Sequence, residues 1–305
     1  MKRIITTVAL IATATCGFTQ DVDRLIQRND VERIIKTLSA DDMQGRGTFT
    51  PGIEKAAKFI ENEFKTIGLK PLDGNTGFLQ TFSMVKTSGV ARNVSINGAA
   101  VSAENVAVLA NTSFSWSSLS DTEVAVVGPD VNFQAEYRKF SGAGKKQLVI
   151  VDPKHAEFFS RLQSFAKGGR PVFKGTEVKP QIPVVYVLLK TDAVKSFNIN
   201  YETKTEELPL SNVAGLLPGK SKANEYVVFS GHYDHLGILK DKDVMAGDSI
   251  ANGADDDATG TTAVIALARY FKRLNNNERT LIFVAFTAEE IGGYGSQYFS
   301  KQLSA

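Results

Sequence analysis

The sequence has few of the residues that build covalent or thiolate-bound scaffolds. It contains one cysteine among 305 residues. This excludes a scaffold stabilised by disulfides, and it excludes a zinc or iron–sulfur site built from cysteines. Its only histidines are His155, His232 and His235. Any metal site must therefore rely mainly on carboxylates.

An excess of charge of one sign is also missing. Lys and Arg number 35 and Asp and Glu number 33, a formal charge of +2, and there is no basic block. We therefore expect no nucleic-acid partner. Hydrophobic residues make up 43% of the chain and include 19 Phe, enough for a sizeable core, which excludes a mainly disordered protein. At about 150 residues per domain, the length suggests two domains.

Long hydrophobic runs are missing except near the start. There, two basic residues precede a mostly apolar, uncharged run from Ile4 to Ala14. That run is too short for a membrane span, which needs about 20 residues, and small residues that suit cleavage follow it. We predict a signal peptide over residues 1–20 and a secreted or periplasmic protein with no membrane span. Cys16 raises the alternative of a lipoprotein, but the Thr-Ala-Thr before it is a poor lipobox.

Helical and strand-like patterns divide the remaining chain into three segments. Residues 21–84 show two amphipathic helices, with Asp30 as the candidate cap of the first and Pro51 opening the second. Residues 85–206 alternate short strands with helices, which predicts a small mixed domain inserted into a larger one. Residues 207–305 have an α/β pattern.

Two elements within these segments are specific enough to test. The nearly continuous apolar run from Thr280 to Phe286 predicts a strand that is covered on both faces. The residues from Ala193 to Phe197 predict a short helix.

Three groups of polar side chains lie at predicted strand ends or helix starts of the last segment. Ligands of open α/β sheets bind at such places. The first group is His232-x-Asp234, at the end of a strand, where both side chains point to the same side. The carboxylate can hold one ring nitrogen while the other faces a metal. A buried histidine satisfied by its neighbour is the alternative.

The second group is the acidic triplet from Asp255 to Asp257. Consecutive carboxylates repel one another unless cations or amides compensate. Capping of the following helix would explain one or two of these acids but not all three. The spacing lacks the alternating acids and the distal glutamate of an EF-hand calcium loop.

The third group is Glu289-Glu290, which directly follows the apolar strand. A solvated loop is the alternative interpretation. Adjacent carboxylates at the end of a central strand can divide two tasks, since one can bind a metal while the other acts as a general base.

Together, His232-x-Asp234, the Gly-Ala-Asp-Asp256-Asp-Ala-Thr-Gly motif and Ala-Glu289-Glu290 resemble the co-catalytic di-zinc aminopeptidases. That family includes secreted leucyl-type aminopeptidases, aminopeptidase Y and the glutamate carboxypeptidase group. The resemblance implies a zinc-exopeptidase fold, a three-layer α/β/α sandwich with a mixed sheet. It also implies that His232 binds one zinc ion, Glu290 binds the other and Asp256 bridges both. Glu289 would be the general base, and Asp234 would orient His232.

The resemblance extends to both flanks of these motifs, with one gap. The segment from Leu38 to Gly47 is similar to the start of such enzymes, and residues 85–206 more loosely resemble a protease-associated domain. The family has two further ligands, an acid and a histidine, on the C-terminal side of the glutamate pair. The fifteen residues after Glu290 contain no Asp, Glu or His. Neither His155 nor His235 is a plain substitute, and the resemblance gives His235 no role.

We therefore expect a truncated sequence whose sandwich is C-terminally incomplete, and which as written binds zinc weakly and catalyses nothing. The leading hypothesis for the complete protein is an exported zinc-dependent exopeptidase that hydrolyses N-terminal peptide bonds of peptide substrates with two zinc ions. A non-catalytic binding protein on a peptidase scaffold is one alternative. A zinc glutaminyl cyclase is another, against which the intact acidic triplet argues.

Overall fold

The computed structural model describes residues 22–191, 193–239 and 247–303. The predicted signal peptide, residues 1–20, lies outside the described residues. The chain divides into two compact units. The first unit is Met1–Gln80 together with Ser211–Ala305, and the second unit is Thr81–Leu210.

The chain begins with three helices, the later helices are interspersed among the strands, and two strands are much longer than the rest. The helices are α1 (Val22–Leu25), α2 (Arg28–Leu38), α3 (Pro51–Ile67), α4 (Phe133–Gly142), α5 (Ala156–Gly168), α6 (Gly260–Leu274) and α7 (Tyr294–Leu303). The strands are β1 (Lys70–Pro71), β2 (Leu79–Ile96), β3 (Ala99–Val101), β4 (Val106–Leu109), β5 (Phe114–Trp116), β6 (Glu123–Val127), β7 (Gln147–Val151), β8 (Val172–Phe173), β9 (Val184–Leu188), β10 (Phe197–Leu217), β11 (Lys222–His232), β12 (Gly237–Ile238), β13 (Ile250–Ala251) and β14 (Arg279–Phe286).

Strand β14 lies between two neighbours in the sheet of the first unit. It pairs in parallel with β11, from Tyr226 opposite Thr280 to His232 opposite Phe286. On its other side it pairs antiparallel with β10. The sheet is therefore mixed, and a strand with neighbours on both sides explains the continuous apolar run of β14.

Helices cover both faces of this sheet. Leu281, Phe283 and Ala285 of β14 pack in one cluster with α2, α3 and α6. Ile282 and Val284, which alternate with them, pack against Phe299 of α7. Because successive side chains of a strand point to opposite faces, β14 contributes to both layers. The first unit is thus an α/β/α sandwich with a mixed sheet, and the predicted covering of β14 on both faces is confirmed.

Helix α3 shows how the local sequence sets these layers. Pro51 occupies its first turn, where a missing N–H costs nothing, and Gly68 ends it with a φ of 77°. Between them a buried stripe faces the core, comprising Ile53, Ala56, Ala57, Ile60, Phe64 and Ile67. The predicted start of this helix at Pro51 is confirmed.

Phe64→Ala is expected to lower the free energy of unfolding by about 3–5 kcal/mol, because it leaves a cavity in this core. The Phe64 side chain is fully buried, and its ring lies edge-on to Phe78 at 6.1 Å between centroids. Urea unfolding followed by circular dichroism measures the change. Phe165→Ala is the matched control, since that ring is 71% exposed and its loss should have little effect. Equal losses for the two variants would contradict this packing.

The second unit is a separate α/β layer structure. Its four-stranded sheet has the order β4-β9-β7-β6, with β9, β7 and β6 parallel and β4 antiparallel to β9. One face packs against α4 and α5 through Phe133 and Phe159. The other packs against side chains such as Trp116 and Tyr201. Near the sheet, His155 has one ring nitrogen 2.9 Å from the carbonyl oxygen of Gly128.

Two predictions about local structure are wrong. Helix α2 begins before Asp30, and the Asp30 carboxylate pairs with Arg269 at 2.7 Å instead of capping the helix. The described residues 193–196 form no helix, because the Asn97 side chain accepts hydrogen bonds from the N–H groups of Lys195 and Ser196. Phe197 then begins β10. In both places the local contacts involve a side chain that is distant in sequence.

Candidate metal centre

The three groups of polar side chains meet at one edge of the sheet in the first unit. His232 and Phe286 are the last residues of the parallel strands β11 and β14, and they lie opposite each other. The N–H of Tyr233 donates to the carbonyl of Phe286 at 2.9 Å, which keeps the two chains together beyond the strands. Parallel strands end at the same edge of a sheet, so Asp234 and the glutamate pair leave the sheet side by side.

A distorted helical turn, Ala254–Thr259, brings the acidic triplet to the same place. Asp257 accepts hydrogen bonds from the N–H of Gly260 at 2.9 Å and from the N–H of His232 at 3.0 Å. It therefore caps the start of α6 and fixes that start to the end of β11. Capping therefore accounts for Asp257 and leaves Asp255 and Asp256 unexplained. This agrees with the expectation from the sequence that capping would not explain all three acids.

Asp256 faces the other polar groups. Its Oδ1 lies 3.1 Å from His232 Nε2, and its side chain is 63% exposed. His232 Nε2 also lies 3.9 Å from Glu289 Oε2. Asp256 and Glu289 thus approach the same ring nitrogen, from the acidic triplet and from the glutamate pair.

Asp234 is fully buried below these groups and binds the backbone of the glutamate pair. Its Oδ1 accepts from the N–H of Glu289 at 3.0 Å, and its Oδ2 accepts from the N–H of Glu290 at 3.2 Å. The His232 ring Nδ1 lies 3.2 Å from the Asp234 backbone carbonyl and 3.8 Å from its carboxylate. Burial raises the pKa of Asp234, while the two N–H groups oppose that shift.

A second buried side chain supports the glutamate pair from the sheet. Asn212 of β10 accepts from the N–H of Thr287 at 3.2 Å and donates to the carbonyl of Gly295 at 2.9 Å. It thereby spans the segment that contains the two glutamates. The sequence did not single out Asn212, although a polar amide directly before the apolar end of a strand is a detectable signal.

His235 lies beside Glu290, a contact that the sequence did not predict. Its Nδ1 is 2.8 Å from Glu290 Oε1 and 4.0 Å from Asp256 Oδ2. One ligand atom from each of His235, Asp256 and Glu290 lies within 4.8 Å of the others. The sequence offered one sign that His235 belongs to the site. It lies just beyond a strand end, three residues after His232.

Arg46 organises the backbone around the site. Its guanidinium is fully buried and donates to four carbonyl oxygens at 2.6–2.8 Å. These belong to Leu38, Tyr233, Asn252 and Gly253. Burial lowers the pKa of Arg46, and the nearby carboxylates of the site oppose that shift. One side chain therefore joins the end of α2, the end of β11 and the loop that leads to Asp256.

Arg46→Met is expected to lower the free energy of unfolding by more than about 3 kcal/mol, because it leaves several buried carbonyls without a donor. Chemical denaturation monitored by fluorescence measures the loss. Arg161→Met is the control, since that arginine is 70% exposed in the second unit and pairs with Glu157 one helical turn away. Exposed pairs of this kind contribute less than about 1 kcal/mol. An Arg46→Met protein as stable as this control would contradict the assigned role.

The donor set of the site fits zinc. Imidazole nitrogens and carboxylate oxygens are established zinc ligands, and the site contains both kinds. Asp256 is shared between two groupings, one with His232 at 3.1 Å and one with His235 and Glu290. Cysteine is absent from both, so the site depends on histidine and carboxylate.

Known protein families and curated proteins include sequences similar to the C-terminal part of this chain. The model of Peptidase family M28 matches residues 212–305. A "Probable zinc metalloprotease" of Pyrenophora teres f. teres (strain 0-1) is 37% identical over 31% of this chain and 18% of its own length. "Leucine aminopeptidase 1" of Paracoccidioides brasiliensis (strain Pb18) is 28% identical over 56% of this chain and 44% of its own length.

Solved structures are also similar to the chain. An aminopeptidase from Aneurinibacillus sp. strain AM-1 has a TM-score of 0.47 and 16% identity, over 92% of this chain and 67% of its own. The two curated relatives are matched over less than half of their length. Among the residues that the structure describes, no helix is long and apolar enough to cross a membrane.

Proposed function

We propose that the protein is a zinc-dependent aminopeptidase that hydrolyses N-terminal peptide bonds, because residues 212–305 match the model of Peptidase family M28. The observation that supports this most directly is the position of Asp256. It lies 3.1 Å from His232 on one side and groups with Glu290 on the other. One carboxylate between two sets of ligands suits a pair of metal ions.

The site residues could hold two zinc ions. His232 would hold one, Glu290 would hold the other, and Asp256 would be shared by both. Zinc in such a site acts as a Lewis acid that polarises the scissile carbonyl and makes a nearby water more acidic. Asp234 and Asn212 contribute by fixing the backbone that presents Glu290.

Glu289 is the proposed general base. Its carboxylate lies 3.9 Å from His232 Nε2, so it faces the ligands without belonging to the His235–Asp256–Glu290 grouping. Its side chain is 54% exposed, which leaves it accessible to water and substrate. It accepts a proton from the attacking water and then returns that proton to the leaving amine, so its own protonation state is restored after each cycle.

We also propose that the protein is exported and that its second unit is a protease-associated-like domain. The basic and apolar start of the sequence supports export to the periplasm or medium. The α/β layers of Thr81–Leu210 are consistent with a protease-associated-like unit inserted in the peptidase.

Hydrolysis of a fluorogenic aminoacyl amide by the full-length protein tests the proposal. We expect activity that is lost on dialysis against a chelator and restored by added zinc. An N-acetylated version of the same substrate should not be hydrolysed, because an aminopeptidase acts at a free N-terminus. Zinc binding without hydrolysis of any aminoacyl amide would contradict the proposal and favour a binding protein on a peptidase scaffold.

A further inference from the structure

We propose that His235 is a positioning residue that holds the Glu290 carboxylate in the orientation needed to bind its metal ion. The inference rests on the proposed function, because it assumes that Glu290 is a metal ligand. It adds a role for a histidine that the motifs leave without one. The contact, the surroundings of the ring and the chemistry of the two groups all support it.

The contact between the two side chains has the geometry of a charge-assisted hydrogen bond. His235 Nδ1 lies 2.8 Å from Glu290 Oε1. An ionised carboxylate can only accept, so the proton of this bond must be on Nδ1. The bond therefore fixes both the tautomer of His235 and the position of one Glu290 oxygen.

The His235 ring is itself held firmly. Its backbone N–H donates to the carbonyl of Arg46 at 3.1 Å, and its backbone forms a bridge with Gly47. The ring edge lies against Gly253, where a Cβ would come within 2.5 Å of His235 Cδ2. Gly253 has a φ of 58°, which also favours glycine. A ring enclosed in this way can orient a neighbour instead of moving with it.

Both partners are largely shielded from water, since the side chains of His235 and Glu290 are 11% and 18% exposed. A hydrogen bond that is shielded in this way competes little with solvent. Metal-binding carboxylates are commonly hydrogen-bonded by outer-shell groups, and loss of such a group lowers metal affinity by about 10- to 100-fold. We infer an effect of this size for His235.

Direct coordination by His235 is the competing interpretation, since its Nδ1 also lies 4.0 Å from Asp256 Oδ2. The two roles differ in what can replace the imidazole. A positioning role needs an N–H donor at the place of Nδ1, which the side-chain amide of asparagine supplies. A ligand role for His235 needs an imidazole nitrogen lone pair, whereas asparagine offers only a carbonyl oxygen, which suits zinc less well than imidazole does.

The test compares His235→Ala and His235→Asn with the unmodified full-length protein. Zinc affinity is measured by competition with a chromophoric chelator, and the visible spectrum is recorded after substitution with cobalt. We expect His235→Ala to weaken zinc binding by about 10- to 100-fold. We expect His235→Asn to restore most of that affinity with an unchanged cobalt spectrum. His155→Ala, which removes a histidine of the second unit, is the matched control and should leave affinity unchanged.

Three results would overturn the inference. Unchanged affinity in His235→Ala would show that the contact with Glu290 does not matter for metal binding. Equal weakening in both variants, with an altered cobalt spectrum in His235→Asn, would assign His235 as a ligand. Absence of zinc binding by the unmodified protein would refute the proposed function as well, whereas the first two results leave that function intact.

Discussion

Asp256→Asn should lower zinc affinity more than about 100-fold, beyond the loss expected when only an outer-shell partner is removed. Asp256 is the residue common to both groupings of ligands, with one oxygen near His232 and the other near His235 and Glu290. Asparagine keeps the shape but removes the charge and leaves a single acceptor oxygen. Both proposed metal positions are therefore affected by one substitution.

The neighbouring acid provides a matched control for this prediction. Asp255→Asn makes the same chemical change one residue earlier, at an exposed position. We expect its zinc affinity, measured by isothermal titration, to remain close to that of the unmodified protein. An Asp256→Asn protein with unchanged affinity, or an Asp255→Asn protein that is equally impaired, would contradict the assignment of Asp256 within the triplet.

Glu289→Gln is expected to lower kcat by about 10²- to 10⁴-fold while zinc remains bound. Glutamine fills the same space but cannot accept and return a proton. Glu289 contacts the ligands only at the 3.9 Å distance from His232, so its loss should leave metal affinity nearly unchanged. Hydrolysis of the aminoacyl amide and zinc content, measured on the same sample, separate the two effects.

Two further glutamate variants separate the loss of the general base from the loss of a metal ligand. Glu290→Gln should lose both zinc and activity, because Glu290 is a proposed ligand. Glu104→Gln, at an exposed position of the second unit, should lose neither. Substantial activity in the Glu289→Gln protein would refute the general-base assignment, since the proton transfers would then proceed without the Glu289 carboxylate.

The sequence predicted the layers of the first unit well because those layers depend on local patterns. The run from Thr280 to Phe286 is apolar at nearly every position, and only a central strand buries both faces in this way. The buried stripe of α3 follows the helical period between Pro51 and Gly68. Both signals lie within a single element and need no knowledge of its neighbours.

The contacts that organise the site could not be predicted in the same way. Arg46 binds a carbonyl 187 residues later in the chain, and His235 meets Glu290 across 55 residues. Such pairs depend on which strand ends come together in the fold. The hydrophobic period of a single element contains no information about that. The same reason explains why Asp30 was wrongly predicted as a cap, since its partner Arg269 lies on a different helix.

We propose that metal binds between the ends of β11 and β14 and that two ions share Asp256. The most direct test is anomalous diffraction at the zinc edge from crystals of the full-length protein grown with zinc. We predict two peaks, one between His232 and Asp256 and one between Asp256 and Glu290. A single peak, or zinc bound away from Asp256, would contradict the account.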